Sequence, residues 1–228
     1  MSTISEGLQA VTTRIGDAAA AAGRARGDIQ LVAVSKTFPP EAIREAFACG
    51  QLAFGENYLQ EALGKINGLR DLPLEWHFIG PIQSNKTRAI AESFQWVHGV
   101  DRLRIAQRLS EARLPTLGPL QVCLQVNVSG ENSKGGVTPG ELPALAAQVA
   151  GLPKLRLRGL MTIPRATEDP EAQRAPFRLL RQLLHGLRAN GIALDTLSMG
   201  MSADLEAAIQ EGATIVRVGR AIFGERTG

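Results

Sequence analysis

Residues 31–57, LVAVSKTFPPEAIREAFACGQLAFGEN, hold the unit whose repetition decides the fold. An apolar run from Leu31 to Lys36 is stopped by Pro39 and Pro40, a helical segment over 41–49 ends at Gly50, and a second apolar run follows at 52–57. Proline suits the first turn of a helix and glycine its end, so the order reads strand, helix, strand. Outward from this unit the same alternation continues to the C-terminus, with candidate strands at 31–36, 52–57, 74–80, 94–100, 120–127, 155–163, 194–199 and 214–219. Between them, segments such as 139–150 carry apolar residues at helical spacing: Leu142, Leu145, Ala146 and Val149. That segment has Thr138 as N-cap, Pro139 in the first turn and Glu141 three residues after the cap, and it closes at Gly151 and Pro153. A further helix over about 5–22, with Leu8, Val11, Ile15 and Ala18 on one face, precedes the first strand. Residues 164–176, with three prolines, read as one long loop leading into a helix, and 202–211 as a helix starting at Ser202.

Eight strands alternating with helices predict an α/β fold: a single (β/α)8 barrel with an extra N-terminal helix, spanning residues 1–228 as one domain. An open doubly wound sheet is the alternative. The composition is that of a soluble globular protein, with 44% apolar residues and a net charge of +3 from 25 basic and 22 acidic residues. The charges are dispersed and no basic run is interleaved with aromatics, which speaks against nucleic acid as a partner. No compact apolar leader and no 18-residue apolar stretch appears, so a cytoplasmic protein without a membrane anchor is expected. Cys49 and Cys123 belong to no metal-ligand or disulfide pattern.

Chemistry in a barrel gathers at the C-terminal ends of the strands. Lys36 stands there at the tip of an apolar run, and Val32, Val34 and Lys36 share one face. A lysine in such a place is either a solvated strand end or an amine held for Schiff-base chemistry with an aldehyde or ketone. Asn57, His77, Asn127 and Ser198 also fall toward strand ends, with His77, between Trp76 and Phe78, reading as a packed, hydrogen-bonded residue. Arg217 sits inside the apolar pattern of the last strand and needs an acceptor, from a ligand or from a helix carboxylate. Ser198-Met199-Gly200-Met201-Ser202 and Val218-Gly219-Arg220-Ala221 end strands seven and eight. Glycines there let backbone N–H groups approach an anion, and barrels frequently bind phosphate with these two loops. Ser198 and Ser202 also suit the commoner turn and N-cap roles. A lysine facing a phosphate cup fits a ligand that carries both an aldehyde and a phosphate: pyridoxal 5′-phosphate (PLP). The glycine-rich stretch Gly130–Gly136 lacks P-loop order and reads as a mobile loop.

The segments LVAVSKTFP (31–39), FGENYLQEALGK (54–65), WHFIGPIQSNK (76–86), GLMTIP (159–164), LSMGMSADLEAAI (197–209) and VRVGRAIFGER (216–226) span nearly the whole chain. In these the sequence resembles the pyridoxal phosphate homeostasis protein family, also called proline synthase co-transcribed homologues. The resemblance implies a barrel similar to the N-terminal domain of alanine racemase, with Lys36 as the Schiff-base lysine. It implies phosphate contacts from the 198–200 segment (Ser198, Met199, Gly200) and from Gly219 and Arg220, the last through its backbone N–H. It also implies Arg217 near the pyridine nitrogen and Asn57 lining the pocket. One departure is Arg220, where many relatives carry Thr after the last-strand glycine.

An arginine beside the pyridine nitrogen leaves that nitrogen unprotonated and weakens the electron sink. Racemisation also needs a base on each face of the substrate, and the sequence offers one tyrosine, Tyr58, beside Asn57. The expectation is therefore a non-catalytic PLP-binding protein of vitamin B6 homeostasis, acting as a monomer, with apo-enzymes that use PLP as recipients. The alternatives are a weak PLP-dependent racemase using Lys36 with water or His77, and a Schiff-base aldolase without cofactor.

Overall fold

The computed structural model describes residues 3–131 and 135–225. Its strands are β1 (Gln30–Val34), β2 (Ala53–Glu56), β3 (Glu75–Phe78), β4 (Trp96–Val100), β5 (Leu120–Gln125), β6 (Leu155–Met161), β7 (Thr196–Ser198) and β8 (Ile215–Val218). They close in sequence order into one parallel barrel, with β8 pairing back onto β1 at Val32↔Arg217 and Ala33↔Val218. Seven of the eight strands fall inside the segments read from the sequence and β1 starts one residue earlier, at Gln30; the barrel, not the open sheet, is what forms. All strands but β4 end one or two residues before the expected C-terminal end, and Lys36, Asn57, Gly80 and Gly219 lie beyond them to form the mouth.

Alternation along each strand separates two layers. Val32, Ala53, Trp96, Cys123, Met161 and Ile215 fill the barrel interior. Leu31, Ala33, Phe54, Val97, Val122, Leu124, Val216 and Val218 point outward into a continuous core shared with the helices. Those helices are α1 (Thr3–Ala21), α2 (Pro40–Ala48), α3 (Leu59–Gly68), α4 (Thr87–Ser93), α5 (Leu103–Ala112), α6 (Leu142–Ala150), α7 (Pro170–Ala189), α8 (Leu205–Gln210) and α9 (Arg220–Phe223). The extra helix α1 lies over the seam where the barrel closes, packed on α2, α8 and α9. It approaches α9 so closely that a Cβ on Gly7 would stand 2.7 Å from the carbonyl oxygen of Ile222.

Three local readings are corrected. The loop over 164–176 leads into a helix as expected but is shorter: Asp169 accepts from Ala172 N at 2.8 Å as an N-cap, Pro170 opens α7, and Pro176 lies within that helix. The buried stripe of Phe177, Leu180, Leu184 and Leu187 anchors α7 and compensates the backbone bond that Pro176 cannot make. Helix α6 begins at Leu142, after the expected start, although Thr138 and Glu141 do form the reciprocal cap, with Glu141 N to Thr138 Oγ1 and Thr138 N to Glu141 Oε2 both at 3.3 Å. Pro143 lacks the N–H that would continue that first turn. Helix α8 begins at Leu205, because the Asp204 carboxylate takes the Met201 N–H at 2.6 Å and shapes 201–204 as a turn. Of the stretch 130–136, residues 132–134 lie outside the described residues. No helix among the described residues is long and apolar enough to cross a membrane.

Candidate active site at the barrel mouth

Lys36 lies just beyond β1, in a tight turn closed by Phe38 N donating to Ser35 O at 3.1 Å. Thr37 follows with φ 69°, a left-handed conformation that a β-branched residue adopts only when its surroundings impose it. Those surroundings are a buried ionic cluster from β2 and α3. Glu61 Oε1 accepts from Thr37 N at 2.6 Å, and Lys65 Nζ donates to Ser35 O and to Glu56 Oε1, each at 2.8 Å. Lys65 also pairs with Glu61, and Ser35 Oγ donates to Glu56 Oε1 at 2.6 Å. The backbone on both sides of Lys36 is thus clamped to two charged side chains, Lys65 and Glu61, while Glu56 holds the Ser35 hydroxyl and Lys65. Burial pushes the Glu56 carboxyl up, with Lys65 and Ser35 opposing that shift.

On the β8 side, a Cβ on Gly219 would stand 3.0 Å from Val34 O, so the end of β8 lies against the strand that delivers Lys36. Arg217 N donates to Gly200 O at 2.9 Å, which ties the loop after β7 to β8. Gly200 has φ 95°, and a Cβ there would meet Ala208 Cβ at 2.6 Å, so only glycine lets the loop sit on α8. On the other side, Ser35 N donates to Gly55 O at 3.1 Å, which sets Asn57 at the neighbouring strand end. Asn57 Oδ1 is buried without a hydrogen-bond partner among the described residues. A Cβ on Gly80 would stand 2.3 Å from Asn57 O, so Gly80 lets β3 close against this edge. Lys36, Asn57, Gly200, Arg217 and Gly219 therefore gather on β7, β8, β1 and β2, four consecutive strands.

The remaining expected residues are placed differently from one another. Ser198 is fully buried with its hydroxyl inside the barrel, 2.6 Å from Arg217 Nη1 and 2.7 Å from His98 Nδ1. The Met199 side chain is packed in the outer core between strands and helices. Arg220 is exposed at the start of α9, its side chain without a partner among the described residues. Asn127, an expected strand-end residue, is bound within its own loop, donating from Nδ2 to Glu131 O at 2.9 Å. Arg217 is held by neutral oxygens, Ser198 Oγ and Thr162 O (2.9 Å), not by the helix carboxylate that the sequence left open. Burial pulls its guanidinium down to about 10, with Asp204 opposing from a distance.

Two groups escaped the sequence reading. Glu56 and Lys65 look like an ordinary strand-end acid and helix lysine, and nothing in spacing marks them as buried. His98 was legible in principle: in WVHGV (96–100) it shares a strand face with Trp96, which fills the barrel. His77 is fully buried and hydrogen-bonded, as read.

The residues fit PLP on the structure's own terms. An amine at the mouth, a buried cation held only by neutral oxygens, an orphaned buried amide oxygen and two glycine-built strand ends are what a small phosphorylated aldehyde needs. Fold and site define a barrel of the alanine racemase type, and the family model for the alanine racemase N-terminal domain matches residues 8–227. Within that class the chain belongs to the pyridoxal phosphate homeostasis protein family. It is 65% identical over 226 residues to the protein of that name from Pseudomonas aeruginosa, covering 99% of this chain and 97% of the relative. The protein of that name from Escherichia coli is 51% identical over 229 residues, covering 99% and 98%. The structure of PipY of Synechococcus elongatus with PLP bound is 39% identical, with a TM-score of 0.86 over 97% of this chain and 100% of that one. Alanine racemase from Corynebacterium glutamicum, 18% identical with a TM-score of 0.73, shares the fold, and this chain covers 61% of it.

Proposed function

We propose that this chain is a PLP-binding protein of vitamin B6 homeostasis that holds the cofactor reversibly and does not turn over a substrate. The observation that carries the reading is the gathering of Lys36, Asn57, Arg217 and the glycine-built ends of β7 and β8 on four consecutive strands. It is supported by PLP in PipY, at 39% identity, and by the names of full-length relatives. When bound, PLP supplies an aldehyde that exchanges between amines. Lys36 is the residue for the Schiff-base linkage, and the clamp on Ser35 and Thr37 fixes the backbone that carries it. The ends of β7 and β8, from Ser198 to Gly200 and from Gly219 to Arg220, hold the phosphate. Arg217 faces the pyridine ring and Asn57 lines the edge. All of these residues come from one chain, which suits a monomer. Apo-enzymes that need PLP are the recipients, and the consequence is control of amino-acid and keto-acid balance.

The racemase reading needs a second base at the mouth. His77 is a poor one, because it lies in the barrel interior with Nδ1 engaged by His98 and Nε2 directed at Glu75. The test is borohydride reduction of the PLP-loaded protein, followed by mass mapping. A reduced pyridoxyl adduct on the Lys36 peptide, and loss of the cofactor's visible absorbance in Lys36→Ala, is the expected result. An adduct mapping only to other lysines would overturn the assignment, and α-deuterium exchange into free amino acids would restore the enzyme reading.

A further inference from the structure

A buried polar chain crosses the barrel interior from β3 to β8. Glu75 Oε2 lies 3.3 Å from His77 Nε2, within ion-pair distance, and Nε2 makes no hydrogen bond among the described residues, so this is an electrostatic contact at the end of the series. His77 Nδ1 is 2.9 Å from His98 Nε2, His98 Nδ1 is 2.7 Å from Ser198 Oγ, and Ser198 Oγ is 2.6 Å from Arg217 Nη1. Both imidazoles and the hydroxyl are fully buried.

The two ends dictate where every hydrogen lies. Arg217 can only donate, so Ser198 Oγ accepts from it and turns its own hydrogen to His98 Nδ1. His98 then carries its hydrogen on Nε2 and donates to His77 Nδ1, and His77 carries its hydrogen on Nε2, toward Glu75. At that end Trp96 Nε1 donates to Glu75 Oε1 at 2.9 Å and Gln30 Nε2 to Glu75 Oε2 at 2.8 Å, which keeps the group a carboxylate. Its acidity agrees: the neighbouring His77 leads the causes that hold it at about 2. The reverse order would aim a His77 lone pair at that carboxylate. Burial also keeps both imidazoles neutral, pulling His77 below its usual range and His98 well below it, with the neighbouring His77 and Arg217 acting on His98 in the same direction.

We propose that Glu75, His77, His98 and Ser198 form a positioning relay for Arg217, fixing both imidazoles as Nε2–H tautomers and orienting the guanidinium in the barrel interior. The relay rests on the PLP reading for its purpose, because Arg217 is the residue assigned to the pyridine ring. Every hydrogen in it points away from Arg217, so it delivers no proton toward the site. That polarity keeps the ring nitrogen unprotonated and favours a tether over an electron sink.

The relay itself can be tested without cofactor. Long-range 1H–15N NMR of the histidine-labelled, cofactor-free protein reads each imidazole's tautomer, with exposed His185 as internal reference. His77 and His98 should both show the neutral Nε2–H pattern, and an Nδ1–H pattern on either overturns the relay. Ser198→Ala should lower PLP affinity about tenfold, a loss of one charged hydrogen bond's worth, with Ser198→Thr restoring most of it. A Ser198→Ala protein that binds PLP like the parent, or that loses affinity with the His98 signals unmoved, overturns the positioning role. If the parent protein binds no PLP while the tautomers are as stated, the PLP reading fails and the relay stands.

Discussion

At the scale of the residue, Thr37 carries the clearest strain in the molecule. Its φ of 69° is the one positive value among the described non-glycine residues, and its amide is held there by Glu61. For an L-residue this conformation costs about 1–2 kcal/mol, and glycine escapes most of that while giving up some unfolded-chain entropy. Thr37→Gly should therefore raise the thermal midpoint of the cofactor-free protein by about 2 °C. A fall in the midpoint on calorimetry would mean that the exposed threonine side chain makes a stabilising contact. The strain belongs with Lys36: a turn that swings freely would not fix the backbone that carries its side chain. Lys36 was legible from the apolar run that it ends. Its clamp was not, because Ser35 O and Thr37 N are backbone atoms with no signature in sequence.

The element that matters most here is α3. Its Glu61 and Lys65, one turn apart, reach from the helix across the end of β2 to the turn after β1. Lys65→Met leaves Glu56 buried with Ser35 as its remaining donor, and breaking a buried pair in this way costs about 3–5 kcal/mol. Urea unfolding of the cofactor-free protein should show that loss. The double variant Glu56→Gln with Lys65→Met should recover most of it, since the uncompensated charge is then gone. A double variant as unstable as the single one would mean that the lysine's contact with Ser35 O, not its pairing, carries the stability. Sequence periodicity placed α3 between the second and third strands. It said nothing of which helix residue reaches under Lys36, since that depends on how α3 lies against β1 and β2.

For the molecule as a whole, the barrel interior is polar enough to make stability depend on pH. His77 and His98 are buried and neutral, with Glu75, Arg217 and each other as their facing groups. Above about pH 6.5 both are neutral whether the chain is folded or unfolded; below it the unfolded chain takes up protons that the folded one refuses. Stability is thus present above about 6.5 and is lost as pH falls, by up to about 1.4 kcal/mol per unit for each ring. Glu56, raised by burial, works in the opposite sense and offsets part of this. The unfolding free energy should fall by about 2 kcal/mol between pH 8 and 5.5, and a His98→Asn variant should show a shallower fall. An equal slope in parent and variant would place the dependence elsewhere.

Read without coordinates, the chain already shows the order of strands and helices, the closure implied by eight alternating units, the strand ends that carry Lys36, Asn57 and the glycines, and Arg217 within the last strand. These follow from local periodicity, turn chemistry and the rule that a barrel's mouth lies at its strand ends. Helix starts at 142, 170 and 205 were decided by particular prolines and by the Asp169 and Asp204 side chains, where small local effects override the pattern. It takes the folded barrel to show that Ser198 turns inward, that His98 joins it to His77, and that Glu56, Glu61 and Lys65 hold the Lys36 turn. Each of these contacts joins residues on different elements, and barrel closure fixes their distances where the chain's local preferences cannot.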